Sequence, residues 1–267
     1  MKDKNLEKIK VIQLEIMDYI DKICKKYDIK YYIFWGSLLG AIRHKGFIPW
    51  DDDIDIAMLP DDYKKFMEVM ENENSDKYYL QNIYNTKYYI FPFSKVRKYH
   101  TTRIDEESNF LPFKKGINID VFPLFKYPTS KFKQFLFKYR LQVINVLLTR
   151  DYKQEKSKKK YINVFLHLVP RSLTNKVLIR KMNKLLNYKG EFNEYRVTYK
   201  KGFDKNCFDV ITVPFEDRKY TAPAGYDKIL TELYGDYMTP PPKKDRHGHG
   251  AESKNIILSF DKEYDEL

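Results

Sequence analysis

Four aspartates fall within five positions in the stretch GFIPWDDDIDIAML, residues 46–59 of this 267-residue chain. In an extended strand, side chains alternate between faces, so Asp51, Asp53 and Asp55 point one way and the isoleucines point the other. Like charges this close repel, and hard divalent cations such as Mg²⁺ take carboxylate oxygens as ligands. The pattern predicts a cation site at one sheet edge; a solvated turn followed by a stray aspartate is the alternative.

A glycine–serine pair, Gly36-Ser37, precedes the aspartates in FWGSLLGAIRHKG. The β-prone run before it predicts a strand, and the residues after it predict a helix. Glycine lets the backbone approach a ligand, and helix N-terminal amides with a serine hydroxyl can seat a phosphate. An ordinary turn is the alternative for the pair alone. Beside the aspartates, the pair predicts a phosphate-binding turn next to a cation site.

The blocks GSLLGAIR, IPWDDDIDI and INIDVFPL, in this order, resemble the LicD family. Its members are phosphocholine transferases of bacterial surface polysaccharides and are related to fukutin. The resemblance runs from about residue 15 to residue 125 and resumes in YTAPAGYDKILTELYGDYMTPP, whereas 130–205 match only loosely. It implies the α+β class, with a nucleotidyltransferase core like that of DNA polymerase beta and a mixed sheet.

The resemblance also implies roles for residues. The hG[GS] turn of that fold matches Gly36-Ser37, its D-h-D pair matches Asp53 and Asp55, and its third carboxylate matches Asp120. These three aspartates would hold Mg²⁺, or Mn²⁺ instead, with Asp51 as a further candidate ligand, and Asp120 would act as general base on the acceptor hydroxyl. An edge-strand aspartate facing solvent is the alternative for Asp120.

Basic side chains could hold the phosphates of the substrate. Lys95 and Arg97 share one face of the predicted strand FSKVRK, a pattern that resembles a K-h-R strand of the family. Arg43 follows the glycine–serine turn on the next helix. For each of the three, an ordinary surface charge is the alternative.

The elements that position these residues follow from periodicity and caps. Apolar residues at steps of three and four predict a helix over 5–27, Gly46 is predicted to cap the helix that follows Ser37, and Pro60 opens another helix. Strands are predicted over 53–58 and in KYYLQNI, FSKVRK and INIDVF. We divide the chain into a catalytic core, a basic and mainly helical segment, and a C-terminal helix with an extended tail, over 1–125, 126–205 and 206–267 respectively.

Positive charge is concentrated in the middle of the chain. The formal net charge is +12, yet residues 126–205 alone contain 21 lysines and arginines against 5 acidic residues. The cluster KSKKK is predicted to be a solvated loop between two helical stretches. Such a segment can bind nucleic acid, meet an anionic membrane surface, or be a solvated basic face. We favour the membrane, because the resemblance implies a lipid-linked glycan acceptor, and predict no nucleic-acid partner.

The cysteines, the histidines and the apolar runs of the sequence bear on metal binding and on where the protein is located. The two cysteines, Cys24 and Cys207, form no CxxC pair, which disfavours a disulfide framework or a cysteine-based zinc site. No apolar signal core or membrane-spanning run occurs, so we expect a soluble or peripheral protein. Because the resemblance implies a lipid-linked acceptor, we expect it in the cytoplasm, peripheral at the inner face of the cell membrane. His247 and His249 fit a flexible tail better than a metal site, and His44 is predicted on a solvated face.

The resemblance implies transfer of phosphocholine from CDP-choline to a sugar hydroxyl of a teichoic-acid or surface-polysaccharide precursor, with release of CMP. Phosphoglycerol, phosphoribitol or a nucleotide on the same scaffold is the nearest alternative. A metal-dependent glycosyltransferase also uses paired aspartates, although the glycine–serine turn argues against it. A third alternative is a non-catalytic protein that binds a membrane or nucleic acid through the basic segment.

Overall fold

A computed structural model of the protein describes residues 2–104, 111–149, 169–197, 201–246 and 257–263. The helices in these ranges are α1 (Lys2–Lys26), α2 (Trp35–His44), α3 (Pro60–Asn72), α4 (Lys131–Leu148), α5 (Arg171–Leu186) and α6 (Tyr226–Tyr234), with 3₁₀ turns at Lys205–Cys207 and Lys243–Asp245. The strands are β1 (Tyr32–Ile33), β2 (Asp55–Met58), β3 (Tyr78–Gln81), β4 (Ser94–Lys98), β5 (Thr102–Ile104), β6 (Asn118–Pro123), β7 (Phe125–Pro128), β8 (Phe192–Arg196), β9 (Phe203–Asp204), β10 (Val210–Phe215), β11 (Arg218–Pro223) and β12 (Ile257–Ser259).

A five-stranded sheet in the order β1-β2-β6-β4-β3 forms the centre of the protein. Strands β2 and β6 run parallel, whereas β1 with β2, β4 with β6 and β3 with β4 are antiparallel. The α+β class with a mixed sheet is therefore confirmed. β6, which carries Asp120, is the middle strand, so the alternative of an edge-strand aspartate is excluded.

The first helices cover this sheet as their apolar patterns predict. On α1, Ile9, Ile16 and Ile20 are fully buried at helical spacing and belong to the main core cluster. Helix α3 begins at Pro60, where the missing amide hydrogen costs no helical hydrogen bond. The strand predicted over 53–58 is regular only from Asp55 onward, so the preceding aspartates lie in the loop that enters it.

The end of α2 differs from the prediction that Gly46 caps it. Lys45 is the residue in the left-handed conformation, with φ +61°, and the amides of Lys45 and Gly46 both donate to the carbonyl oxygen of Gly40. Gly46 is favoured for a different reason: a Cβ there would collide with the Glu216 carboxylate, which accepts a hydrogen bond from the Phe47 amide at 2.9 Å. Close approach of the Glu216 side chain, from the turn between β10 and β11, and not backbone conformation, therefore favours glycine at 46.

The second half of the chain contains strands that periodicity did not reveal. β7, β8 and β9 form a sheet beside the helices α4 and α5, β10 and β11 form a hairpin, and β12 pairs with β5. The boundary predicted between the catalytic core and the basic segment, at 125/126, thus falls inside β7. KSKKK, His247 and His249 lie outside the described residues. No helix within the described ranges is long and apolar enough to cross a bilayer.

Candidate active site

Strand register brings three charged residues into one row across the central sheet. Asp55 on β2 lies directly opposite Asp120 on β6, and Asp120 lies opposite Lys95 on β4. Directly opposed residues project from the same face of a sheet. Asp55 is fixed at its own backbone, because its amide donates to the Ser37 hydroxyl at 2.8 Å. Residues far apart in sequence are therefore held side by side by ordinary strand pairing.

Four carboxylates open into one cavity of about 470 Å³ at the end of this row. The other lining residues are mainly aromatic or aliphatic. The cavity is lined by Trp35, Gly36, Leu39, Ile48, Trp50, Asp51, Asp53, Asp55, Asp120, Phe122 and Tyr234. The structure thus brings together all the aspartates predicted from sequence, including Asp51, in a single concave site.

The carboxylates raise one another's proton affinity. Burial, followed by the charges of Asp53 and Asp120, raises the pKa of Asp55 well above its usual range, while Lys95 opposes the shift. Burial likewise raises the pKa of Asp51. The pKa of Tyr234 is also raised, first by burial and then by the charge of Asp55. The cavity is a strongly anionic environment that a bound cation would relieve.

Asp120 is oriented by two neighbours. Its Oδ1 accepts hydrogen bonds from Lys95 Nζ and from Asn118 Nδ2, both at 2.6 Å. The Lys95 ammonium also lies over the ring of Phe91, 4.7 Å from its centroid. Asn118 was not predicted as a site residue, although its position two residues before Asp120 places it on the same strand face.

The glycine–serine turn supports the site in a way that its sequence did not specify. Helix α2 begins at Trp35, so Gly36 and Ser37 lie in its first turn, and Ser37 accepts from the Asp55 amide. A Cβ on Gly36 would lie 2.8 Å from Asp51 Oδ2, so glycine leaves room for that carboxylate. Trp35 has φ +46°, a strained value for a non-glycine residue, and it also lines the cavity.

Asp52 differs from its neighbours in the aspartate run. Its side chain is fully buried, and its Oδ2 lies 3.1 Å from Arg103 Nη2. The Asp52 carbonyl oxygen accepts from Arg103 Nη1 at 2.8 Å and from Gln13 Nε2 at 3.0 Å. These contacts tie the loop to α1 and β5, and they turn Asp52 away from the cavity that the other aspartates line. Asp52 is an anchor of the loop.

The remaining predicted residues lie near the site but bind other groups. Arg97 is buried and donates to Gln81 Oε1 at 2.7 Å and to the Gly116 carbonyl oxygen at 2.6 Å. Arg43 donates to the Tyr237 carbonyl oxygen at 2.7 Å and to His44 Nε2 at 3.0 Å. Neither lines the cavity, so their contact with substrate phosphates stays a prediction.

The donor set fits a hard divalent cation. One carboxylate oxygen from each of Asp51, Asp52 and Asp53 lies within 4.8 Å of the others. Because Asp52 is engaged by Arg103, the carboxylates available to an ion in the cavity are those of Asp51, Asp53, Asp55 and Asp120. Carboxylate oxygens are what Mg²⁺ and Mn²⁺ prefer, and no cysteine or histidine lines the cavity to favour a softer metal.

Aromatic side chains also line the cavity, and sequence patterns did not identify them. The ring of Trp35 packs edge-on against Phe122, with centroids 6.3 Å apart. Trp50 precedes the aspartates and has the Arg246 guanidinium 4.9 Å from its ring centroid. Tyr234 comes from the end of α6, far away in the chain. The adjacency of Trp50 to Asp51 was the one local signal available.

Fold and site together define a protein with a polyanionic, aromatic-lined cavity at the edge of a mixed sheet. A family model described as "LicD/FKTN/FKRP, nucleotidyltransferase domain" matches residues 28–146. The chain is 30% identical to the lipopolysaccharide cholinephosphotransferase LicD of Haemophilus influenzae, over 96% of this chain and 100% of that protein. The chain belongs to the LicD family, as its motifs predicted.

Two further relatives match a shorter stretch. Uncharacterized proteins of Rickettsia typhi and Rickettsia prowazekii are 41% and 39% identical over 56 residues. These alignments cover 21% of this chain, and 18% and 21% of the respective relatives. Because they span so little of the chain, the family assignment depends on the full-length relative.

Proposed function

We propose that this protein transfers phosphocholine from CDP-choline to a sugar hydroxyl of a surface-polysaccharide or teichoic-acid precursor, on a nucleotidyltransferase-type core. The observation that carries the proposal is the convergence of Asp51, Asp53, Asp55 and Asp120 on one aromatic-lined cavity. The full-length relative is a lipopolysaccharide cholinephosphotransferase, which supports the same reaction class.

Asp53, Asp55 and Asp120, with Asp51 beside them, would hold Mg²⁺ or Mn²⁺. When bound, such an ion neutralises the charge of a diphosphate and polarises its phosphoryl oxygens. The crowding of the aspartates is then explained, because their mutual repulsion is offset only when positive charge lies among them. Gly36 contributes by leaving space for the Asp51 carboxylate.

The reaction requires one bond to form and one to break. The acceptor hydroxyl oxygen bonds to the phosphorus that carries choline, and the bond from that phosphorus to the bridging oxygen breaks, so that CMP leaves. Asp120 takes the hydroxyl proton in our proposal, since Lys95 and Asn118 hold its carboxylate in a fixed orientation. Phosphoryl transfer of this kind depends mainly on positioning and charge neutralisation. Strand pairing fixes the positions of Asp55, Asp120 and Lys95, and the bound cation would neutralise charge.

The aromatic lining of the cavity supports choline as the cargo over phosphoglycerol or phosphoribitol. A quaternary ammonium group is attracted to the faces of tryptophan and tyrosine rings, whereas neutral polyols gain little from them. Trp35, Trp50, Phe122 and Tyr234 line the same cavity as the aspartates. The cavity therefore offers an anionic region for the cation-bound diphosphate beside aromatic surfaces for the trimethylammonium group.

Trp50→Leu should weaken binding of CDP-choline by about 5- to 30-fold, since a desolvated cation–π contact contributes roughly 1–2 kcal/mol. Binding of CMP, which lacks the cargo, should change little. Calorimetric titration of both ligands with Mg²⁺ measures the difference. Tyr139→Leu, an exposed aromatic residue on α4, is the matched control and should alter neither affinity. Equal losses for CDP-choline and CMP would contradict a role for Trp50 in cargo binding.

We also propose that the acceptor is carried on a lipid and that the protein works in the cytoplasm, at the inner face of the cell membrane. The name of the relative supports this, because lipopolysaccharide is itself a lipid-anchored glycan. The reaction is tested by incubating the protein with Mg²⁺, choline-labelled CDP-choline and a glycolipid extract. Label should appear in glycolipid with an equal amount of CMP; release of CDP would indicate a different bond cleavage and contradict the proposal.

A further inference from the structure

Helices α4 and α5 present an outward surface that is both apolar and basic. Phe132, Phe135 and Tyr139 follow each other at steps of three and four along α4 and are 70%, 64% and 46% exposed. On α5, Leu173 and Val177 are exposed one turn apart. Large exposed apolar side chains clustered in this way mark an interaction surface.

A groove of about 910 Å³ runs between the two helices. Its lining includes the apolar residues Phe132, Leu136 and Ile179. Cations surround them: the basic lining residues are Lys133, Arg140, Lys176, Arg180, Lys184 and Lys189. The groove thus combines an apolar surface with a ring of positive charge.

The charge on these helices is of one sign. Together α4 and α5 contain nine lysines and arginines and no aspartate or glutamate. Elsewhere many described lysines and arginines have acidic neighbours, as in the ion pairs of Lys25 with Asp21 and Lys228 with Asp204. A groove lined by six lysines and arginines, with no acidic side chain among its lining residues, attracts an extended anionic partner.

The outward surface is not needed to hold the helices in place. Their inward sides are buried in the main core through Phe137, Leu141, Ile144, Leu178 and Met182. Lys181 of α5 also lies 4.6 Å from the ring centroid of Tyr139 on α4. The helices therefore form a fixed scaffold, and the side chains of Phe132, Phe135, Leu173 and Val177 remain exposed for a partner.

We infer that the groove and the exposed aromatic stripe of α4 are the docking surface for an anionic phospholipid bilayer. Phosphate head groups meet the ring of lysines and arginines, and Phe132, Phe135, Leu173 and Val177 enter the boundary with the acyl chains. This inference rests on the membrane location in the proposed function and assigns it to particular residues. It does not depend on the transfer reaction.

Other partners fit the surface less well. Stacking on nucleic-acid bases would use the two phenylalanines, but the aliphatic Leu173 and Val177 have no ring to stack. Protein interfaces are depleted in lysine, whereas lysine is the commonest cation in this groove. Exposed aliphatic and aromatic side chains mixed with lysines and arginines are typical of helices that lie on anionic membranes.

The test is co-sedimentation of the full chain with phosphatidylcholine vesicles that do or do not contain phosphatidylglycerol. The protein should bind only the anionic vesicles, and high salt should weaken binding. Lys176→Gln with Arg180→Gln should reduce partitioning by about 30-fold, since each neutralised cation near an anionic surface counts for about 1 kcal/mol. Phe132→Ser with Phe135→Ser should reduce it at least about tenfold.

Matched controls separate this inference from general charge effects and from the transfer reaction. Lys22→Gln with Lys219→Gln removes the same charge from exposed positions on α1 and β11, and Val11→Ser removes an exposed apolar side chain from α1. These controls should keep full vesicle binding, and all variants should keep CDP-choline affinity. Equal losses in the controls would overturn the inference. So would binding of duplex nucleic acid by the native protein that the groove variants lose while they keep vesicle binding.

Discussion

Asp55→Asn should lower the rate of phosphocholine transfer by about 10³-fold or more. A bound metal ion stabilises charge in the transition state by several kcal/mol, and each increment of about 1.4 kcal/mol corresponds to a tenfold change in rate. The substitution keeps the backbone amide that donates to Ser37, so the strand stays anchored. Asparagine also removes the Asp55 carboxyl group, whose pKa is raised by burial and by the charges of Asp53 and Asp120. Without metal, the melting temperature should therefore be unchanged or higher.

The same variant also provides a test of metal binding. Mg²⁺ should raise the melting temperature of the native protein, since a ligand that binds only the folded state stabilises it. It should raise that of Asp55→Asn much less. Asp53→Asn should behave in the same way, while Asp76→Asn, at an exposed position, is the control that should retain activity and the Mg²⁺ effect. Full activity in Asp55→Asn would remove the metal assignment.

Arg103→Leu should cost about 3–5 kcal/mol of stability, the usual result of leaving one member of a buried ion pair without its partner. Asp52 is fully buried, and both its carboxylate and its carbonyl oxygen accept from Arg103. Leucine would remove these contacts and leave a negative charge in the protein interior. Urea unfolding of the native and variant proteins gives the difference in the free energy of unfolding.

An exposed ion pair provides the comparison for this result. Lys25→Leu removes the i,i+4 contact with Asp21 on α1 and should change stability by no more than about 0.5 kcal/mol. A loss below about 1 kcal/mol in Arg103→Leu would show that Asp52 does not carry a buried charge in the folded state. The assignment of Asp52 as a structural anchor, in contrast to the neighbouring aspartates that line the cavity, would then be contradicted.

Sequence patterns predicted the elements whose signals are local. The spacing of isoleucines indicated α1, and Pro60 marked the start of α3. Alternation predicted one face for Asp53 and Asp55, and both line the cavity although Asp53 lies in the loop before β2. The family resemblance indicated Asp120 as a third carboxylate on a later strand, but its position directly opposite Asp55 is seen only in the structure. Strand pairing depends on contacts distant in the chain, which no local pattern encodes.

The rest of the site could not be predicted for the same reason. Asp52 has the residue type of its neighbours, and only Arg103, 51 positions away, makes it an anchor. Tyr234 reaches the cavity because α6 packs near α2, and the hairpin β10–β11 has charged and proline residues that hide its alternation. Gly46 looked like a helix cap, but a carboxylate from Glu216 sets its requirement.

The most direct measurement is calorimetric titration of the purified protein with CDP-choline, with and without Mg²⁺, beside CDP-glycerol, CDP-ribitol and CTP. We predict Mg²⁺-dependent binding that favours CDP-choline and is lost in Asp53→Asn and Asp55→Asn. Preference for another CDP compound would keep the aspartates as cation ligands and replace the cargo. Absence of nucleotide binding with either Mg²⁺ or Mn²⁺, or binding unaffected by the two substitutions, would contradict the account.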